Sequence, residues 1–223
     1  MNKQILCLAA VALTTVGATA LAQTAGSIVV RAGGTSIMPK VESGDLSAPS
    51  LAGTKINVKN ASQVTGGVTY FFTENLAVDL PLGPPFKHDV VGDGAIANVG
   101  RLGTVKSLPI NLMAQYYLGT ATSTFRPYVG AGITYARFFK PTATAALSGL
   151  TGGSPSNPTL LTMKSTAGPA AELGLLINLG GKWSVGGSVK KVFLKTTGTL
   201  STGQTIEATL DPLAVSLAVG YSF

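Results

Sequence analysis

The polar and apolar positions of this chain alternate most regularly at its end, over residues 213–223. One parity holds large side chains from Leu213 to Phe223, and the other holds only Ala, Ser and Gly. A period of two predicts a β-strand with two different faces. Because neither face carries a charge, the pattern favours a strand with lipid on one side, although an edge strand of a soluble sandwich has the same period.

The same alternation recurs upstream and predicts about eight strands in all. In residues 64–73 the apolar face holds Val64, Val68, Tyr70 and Phe72, and the face of the last strand is built in the same way. The remaining strands differ in length but keep the period. The eight predicted strands cover residues 27–37, 64–73, 76–82, 105–118, 125–139, 171–179, 183–194 and 213–223.

The connections between these strands alternate in length. Short turns follow the second, fourth and sixth strands, and long segments rich in Gly, Ser, Thr and Pro follow the first, third, fifth and seventh. This asymmetry is typical of an all-β, eight-stranded antiparallel up-and-down transmembrane β-barrel with short periplasmic turns and long extracellular loops. Closure is required because hydrocarbon offers no partner to the backbone groups of an open sheet edge.

Aromatic residues gather near the two ends of the predicted strands, where interfacial girdles of a membrane barrel are expected. The short-turn group comprises Tyr70, Phe72, Tyr116, Trp183, Tyr221 and Phe223. The long-loop group comprises Phe138, Phe139 and Phe193. A general preference of aromatic residues for strands explains their presence but not this distribution.

The N-terminus has the pattern of a secretory signal peptide over residues 1–22. Lys3 supplies a positive charge, an apolar stretch follows, and Ala20 and Ala22 form a small-x-small cleavage site before Gln23. We therefore expect residues 23–223 to form the transmembrane β-barrel domain. The chain has one cysteine, Cys7, and it lies in the leader, so disulfides cannot stabilise the exported protein.

Charge and hydropathy agree with a membrane location. Charged residues are only 11% of the chain, and mean hydropathy is +0.38, yet no apolar run outside the leader approaches the length of a membrane helix. The net charge is +7. Scattered cations on an exported chain do not favour nucleic acid as a partner, whereas outer-membrane lipids and lipopolysaccharide are anionic. Loop cations that either bind lipopolysaccharide phosphates or are simply solvated are Lys40, Lys55, Lys59, Lys87, Arg101, Lys140 and Lys164.

Several segments resemble the OmpW family of outer-membrane proteins. They are Pro85-Phe86-Lys87-His88-Asp89-Val90, Leu108-Pro109, Gln115-Tyr116, Phe125-Arg126-Pro127-Tyr128-Val129-Gly130-Ala131-Gly132-Ile133-Thr134-Tyr135, Arg31-Ala32-Gly33 and Tyr221-Ser222-Phe223. The resemblance implies an eight-stranded barrel in the bacterial outer membrane with a narrow hydrophobic channel for small apolar compounds. The last strand, with Val219, Tyr221 and Phe223, also resembles the C-terminal signal that outer-membrane proteins present to their assembly machinery.

Four charged residues fall on the inward parity of the predicted strands: Arg31, Asp79, Glu172 and Lys190. A turn at residues 180–182 places Glu172 opposite Lys190, so we predict that this pair meets inside the barrel. Such charges either form ion pairs that plug the lumen or gate the passage of a solute. Small inward residues leave room for either arrangement: Gly130, Gly132, Gly174 and Gly186.

The apolar residues Leu82, Pro84, Pro85 and Phe86 follow the third strand, and with His88 at the rim they are the candidate channel mouth. We expect a narrow channel for passive uptake of small hydrophobic molecules. The alternative is a structural or surface-interaction barrel with a plugged lumen.

The sequence does not indicate catalytic or metal-binding chemistry. No serine or cysteine nucleophile stands out, and the single His88 lacks further ligands at metal-binding spacing. We therefore expect no catalytic residue, metal or other cofactor, and a lipid-modifying enzyme is the least favoured function.

Overall fold

The computed structural model describes residues 23–154 and 156–223. The predicted signal peptide, residues 1–22, lies outside the described residues. Within the described ranges no helix is long and apolar enough to cross a membrane.

The described residues fold almost entirely as strands, with one α-helix, α1 (Ala145–Thr151), and a 3-10 turn at Ala97–Val99. The strands in chain order are β1 (Ile28–Met38), β2 (Glu42–Ser43), β3 (Thr54–Val58), β4 (Ala61–Phe71), β5 (Leu76–Leu82), β6 (Phe86–Gly94), β7 (Arg101–Tyr117), β8 (Phe125–Ala143), β9 (Leu161–Met163), β10 (Thr166–Gly180), β11 (Trp183–Val192), β12 (Lys195–Leu200), β13 (Thr205–Thr209) and β14 (Leu213–Ser222).

Eight of these strands close into an antiparallel barrel in the order β1-β4-β5-β7-β8-β10-β11-β14. The barrel closes where β1 pairs with β14, from Val29 opposite Ser222 to Met38 opposite Leu213. Each strand therefore lies beside its sequence neighbours among the eight, which is up-and-down topology. The predicted fold class is confirmed.

The two faces of each barrel strand differ as the period of two requires. Large apolar side chains point outward and are exposed, with Val64 at 73% and Leu217 at 65%, and their sequence neighbours point into the lumen. Trp183, Tyr221 and Phe223 stack edge to face at the short-turn end, with ring centroids 4.9 Å apart in each pair. The prediction that Phe138 belongs to the long-loop girdle is wrong, because Phe138 packs against the buried core inside the barrel.

The long connections are predicted from sequence to be loops, but much of their length forms β-strands. β7 begins at Arg101, β8 continues to Ala143 and β10 begins at Thr166, so the barrel wall extends beyond its predicted limit. At the end of the barrel away from the short turns, β2, β13, β12 and β9 form a separate four-stranded sheet, and β3 pairs with β6. We call the four-stranded sheet, β3 and the connections around them the cap. Its core comprises Leu46, Ile96, Leu102, Leu147, Leu200 and Ile206.

Candidate functional site

A cavity of about 130 Å³ occupies the barrel between the cap and the short-turn end. The four predicted lumen residues, Arg31, Asp79, Glu172 and Lys190, all line it. Apolar residues from several strands form much of the remaining wall, including Val105, Ala136, Val192 and Leu194. The wall of the cavity is thus apolar toward the cap and carries charged side chains on another part of its surface.

The charged residues of the lumen are paired only in part. Arg31 on β1 forms an ion pair with Asp79 on β5, and the Thr69 hydroxyl donates a 2.7 Å hydrogen bond to the same carboxylate. Glu172 lies opposite Lys190 as predicted, but the two make no ion pair within the described residues. The Gln115 amide instead donates a 2.9 Å hydrogen bond to Glu172.

The short-turn end of the lumen is closed by a buried cluster that sequence reasoning missed. Arg126 is fully buried, donates to Gln23 and to the Glu74 carbonyl, and lies over the rings of Phe71 and Tyr117 at 5.8 and 5.2 Å. Its inward parity on β8 is visible in the alternation around it. From sequence, Arg126 stands out only within the segment that resembles the family.

Aromatic packing also fills space that the glycines were expected to leave open. Tyr128 is buried beside Tyr117, with ring centroids 4.6 Å apart. A Cβ at Gly174 would overlap the Tyr128 ring, and a Cβ at Gly132 would overlap backbone and side chain of β7. These glycines admit neighbouring groups rather than a solute, so the expectation of free space at these two positions was wrong.

The predicted mouth residues lie at one side of the cavity. Leu82, Pro84, Phe86 and His88 line it, and Pro85, which does not, accepts a 3.2 Å hydrogen bond from Gln63. Leu82 is half exposed on the lipid-facing side, whereas Phe86 and His88 are buried.

His88 is held on both ring nitrogens. Nδ1 lies 2.9 Å from the Lys59 carbonyl and Nε2 lies 3.1 Å from the Ser107 hydroxyl. A carbonyl only accepts, so Nδ1 carries the proton and, in the neutral ring, the Ser107 hydroxyl donates to Nε2. His88 lies on β6, outside the eight barrel strands, and burial lowers its pKa below the ordinary value.

The barrel wall has an unpaired seam beside this mouth. β7 pairs with β5 up to Asp79 opposite Met113, and with β6 from Phe86 opposite Ser107. Residues 108–112 of β7 and residues 80–85 opposite them have no pairing with each other. Proline lacks an N–H, and Pro81, Pro84, Pro85 and Pro109 all lie here, so a continuous ladder cannot form. The cavity reaches this seam, because Pro81, Leu82, Gly83, Pro84, Pro109 and Asn111 line it.

A second cavity of about 80 Å³ lies within the cap, and apolar side chains form most of its wall. Leu51 and Leu150 line it and are exposed, so the cap cavity begins at the surface. Met163 on β9 lines both cavities, which makes it the residue between them.

The proposed assembly signal lies on the lipid-facing side of the last barrel strand. Val219 and Phe223 are exposed there and Tyr221 packs between Trp183 and Phe223. All three residues are therefore presented on one outward face, with Val219 and Tyr221 on β14 and Phe223 directly after it.

Comparison with known proteins agrees with this architecture. A model of the OmpW family matches residues 24–223. The chain is 32% identical to outer membrane protein W of Vibrio cholerae serotype O1, over 99% of this chain and 100% of that protein. Its fold matches the crystal structure of the outer membrane protein OprG from Pseudomonas aeruginosa, with a TM-score of 0.80, 27% identity and coverage of 91% and 98%.

A more distant relative is the dibenzothiophene metabolism operon protein PahQ of Pseudomonas aeruginosa, at 26% identity over 80% of this chain and 79% of that protein. The family match and the Vibrio relative both extend over nearly the whole sequence. The barrel architecture of the structural match is the same as that described above. The chain therefore belongs to the OmpW family and is a β-barrel protein of the bacterial outer membrane.

Proposed function

We propose that this barrel is a narrow channel for the passive uptake of small hydrophobic molecules, which leave the lumen sideways through the seam beside β7. The observation that carries the proposal is the junction of cavity and seam. An apolar cavity ends at a break in the wall where prolines prevent strand pairing. An apolar solute that reaches this break in the wall then meets lipid directly.

Entry is proposed to begin in the cap. The exposed side chains of Leu51 and Leu150 offer an apolar surface, and the cap cavity behind them approaches the lumen at Met163. Methionine is flexible and unbranched, so its side chain can move aside at little cost. A solute would thus remain in apolar surroundings from the surface to the seam.

The closed short-turn end supports lateral exit over passage along the barrel axis. Arg126 and its partners fill the lumen there, and an eight-stranded barrel has little interior space to spare. We propose that Arg31, Asp79, Glu172 and Lys190 form the polar floor of the cavity, which turns an apolar solute toward the seam.

The substrate class is proposed to be small apolar compounds without a net charge. The relative PahQ is named for an operon of dibenzothiophene metabolism, and dibenzothiophene is an apolar aromatic molecule. Transport through such a site involves no covalent chemistry. The partners we propose are the solute, the anionic lipids around the barrel, and the assembly machinery, which would bind β14 at Val219, Tyr221 and Phe223.

The test is solute flux into vesicles that carry the refolded barrel, for an apolar aromatic compound and a polar compound of similar size, with protein-free vesicles as the baseline. We expect selective flux of the apolar compound. Ala136→Phe fills the cavity wall and should reduce this flux, whereas Ala131→Phe, on the same strand but facing lipid, should not. Equal flux through both variants would contradict the proposed path.

The alternative remains a structural or surface-interaction barrel with a plugged lumen, and the closed short-turn end is the observation that favours it. This alternative predicts no flux of either compound above the protein-free baseline from a correctly folded barrel. The same vesicles therefore separate the two functions.

A further inference from the structure

A cluster of three cations lies on the outward face of β6 and of the adjoining ends of the barrel strands β7 and β8. Lys87 on β6 is directly opposite Lys106 on β7. Lys106 is opposite Phe139 on β8, so Arg137 is its diagonal neighbour on that strand, opposite Leu108. All three side chains point outward, because their sequence neighbours Phe86, His88, Val105, Ser107 and Ala136 are buried on the inner side. Lys87 and Arg137 are exposed and Lys106 is half-buried.

None of the three cations forms an ion pair with another of the described residues. Directly opposed residues of an antiparallel pair have Cβ atoms about 5 Å apart, and like charges there are destabilising. Across residues 23–154 and 156–223 the ion pairs are Arg31 with Asp79 and Arg101 with Asp89, the latter at 3.8 Å. Asp89, the acidic residue of the same face of β6, is therefore engaged with Arg101 and not with the cluster.

The height of the cluster on the wall points to lipid headgroups. Directly below it, the outward residues of β7 and β8 are Ile110, Leu112, Ile133 and Tyr135, and all are exposed apolar side chains. Above it the wall continues into the cap. The cations thus lie at the upper border of the lipid-facing band, where the headgroups of the outer leaflet surround the barrel.

The cluster is also confined to one side of the barrel. At the upper ends of β1 and β4 the outward residues are Ser36, Met38 and Ser62. On β11 the outward cation Lys191 already donates to the Asp211 carbonyl and lies 5.7 Å from the Phe193 ring. A diffuse attraction to anionic lipid would not require three unpaired cations on adjacent strands, whereas a single phosphate group would be bound by all three.

We propose that Lys87, Lys106 and Arg137 form a binding site for one phosphate of lipid A, the phosphorylated glycolipid anchor of lipopolysaccharide in the outer leaflet. The arginine donates two parallel hydrogen bonds and each lysine adds one charged donor, which neutralises the opposed pair. Lys87 lies two residues after Pro85, which ends the seam on that side, so the bound glycolipid lies at the edge of that opening. The site is independent of the proposed transport function.

The test is native mass spectrometry of the folded barrel in neutral detergent, titrated with diphosphoryl lipid A and with fully dephosphorylated lipid A. We expect the phosphorylated form to bind at least about tenfold more tightly, the change that follows from one or more charge-assisted hydrogen bonds. Lys87→Gln/Lys106→Gln/Arg137→Gln should remove this preference.

A matched control removes the same charge from exposed cap lysines, Lys55→Gln/Lys164→Gln/Lys195→Gln, and should retain the preference. Equal losses in both triple variants would show diffuse attraction and overturn the site. Full competition by low-millimolar inorganic phosphate would show an ion site without glycolipid recognition and would also overturn it. Heat-resistant migration of each variant confirms that it is folded, and lipid binding is measured without any flux assay.

Discussion

The buried ion pair between Arg31 and Asp79 offers the sharpest test of how the lumen is stabilised. Asp79→Asn keeps the shape of the side chain but leaves the Arg31 guanidinium without its counter-charge. The side chain of Asp79 is 1% exposed and that of Arg31 is 18% exposed, so water can replace the lost partner only in part. Removing one member of a buried pair costs about 3–5 kcal/mol.

The magnitude follows from the remaining contacts of the two residues. The Thr69 hydroxyl still finds an oxygen in the introduced amide, so its hydrogen bond is weakened and not lost, a change of about 1 kcal/mol at most. The Nε atom of Arg31 already lacks a hydrogen-bond partner, so Asp79 is the acceptor that the guanidinium depends on. We therefore expect a loss near 3 kcal/mol or more in the free energy of unfolding.

The assay is equilibrium denaturant unfolding of the barrel from lipid vesicles, followed by tryptophan fluorescence. The chain has one tryptophan, Trp183, and it is half exposed on the lipid-facing side, so its emission reports the transfer from lipid to water. Glu207→Gln, at an exposed carboxylate on β13, is the control and should change stability by less than about 0.5 kcal/mol.

A double-mutant cycle isolates the pair from the rest of the lumen. Arg31→Met and Asp79→Leu are measured singly and together. The double variant removes both charges, so its loss in the free energy of unfolding should be smaller than the sum of the two single losses. A loss below about 1 kcal/mol in Asp79→Asn, or additive single losses, would refute the reasoning, because the Arg31 charge would then be compensated by solvent or by another group.

Three further outcomes follow from the structure. Gly174→Ala should destabilise the barrel by about 1–3 kcal/mol, because its Cβ overlaps a buried ring, whereas Gly34→Ala, whose Cβ would meet only ordinary contacts, should be far milder in the same unfolding assay. Because burial lowers the pKa of His88, the unfolded chain takes up its proton first. Stability should be constant above the ordinary pKa of 6.5 and fall as pH drops below it toward the lowered folded value. His88→Asn should remove this fall, and an unchanged pH profile in the variant would contradict it. Leu82→Asn places a polar group at the seam and should slow apolar flux more than Leu76→Asn, an exposed position on the part of the same strand that pairs with β7, and the opposite order would exclude exit beside Leu82.

Local sequence was sufficient to predict which side chains of each barrel strand face lipid and which face the lumen. A residue such as Leu217 faces lipid and its neighbour Ser216 faces the lumen, because successive side chains of a strand point to opposite sides. The number of barrel strands, the short turns and the inward placement of Arg31, Asp79, Glu172 and Lys190 followed from the same period. The register of Glu172 against Lys190 was also predictable, since a tight turn joins their strands.

The cap was not predictable in the same way. β12 holds three threonines, one glycine and a single large apolar side chain, so its alternation is weak. β13 alternates polar and apolar residues but is only five residues long. Their pairing with β2 and β9 joins segments distant in sequence. Such pairings depend on where the barrel strands bring the connections together, which no local pattern encodes.

By itself, then, the sequence determined which face of each barrel strand meets lipid, because lipid selects a period of two over every spanning segment. Tertiary structure decided which inward groups meet. Strand tilt and long-range register bring Gln115, not Lys190, to Glu172, place Arg126 over the rings of Phe71 and Tyr117, and leave Pro109 opposite an unpaired segment. Contacts inside a closed barrel join strands far apart in the chain, so only closure fixes them.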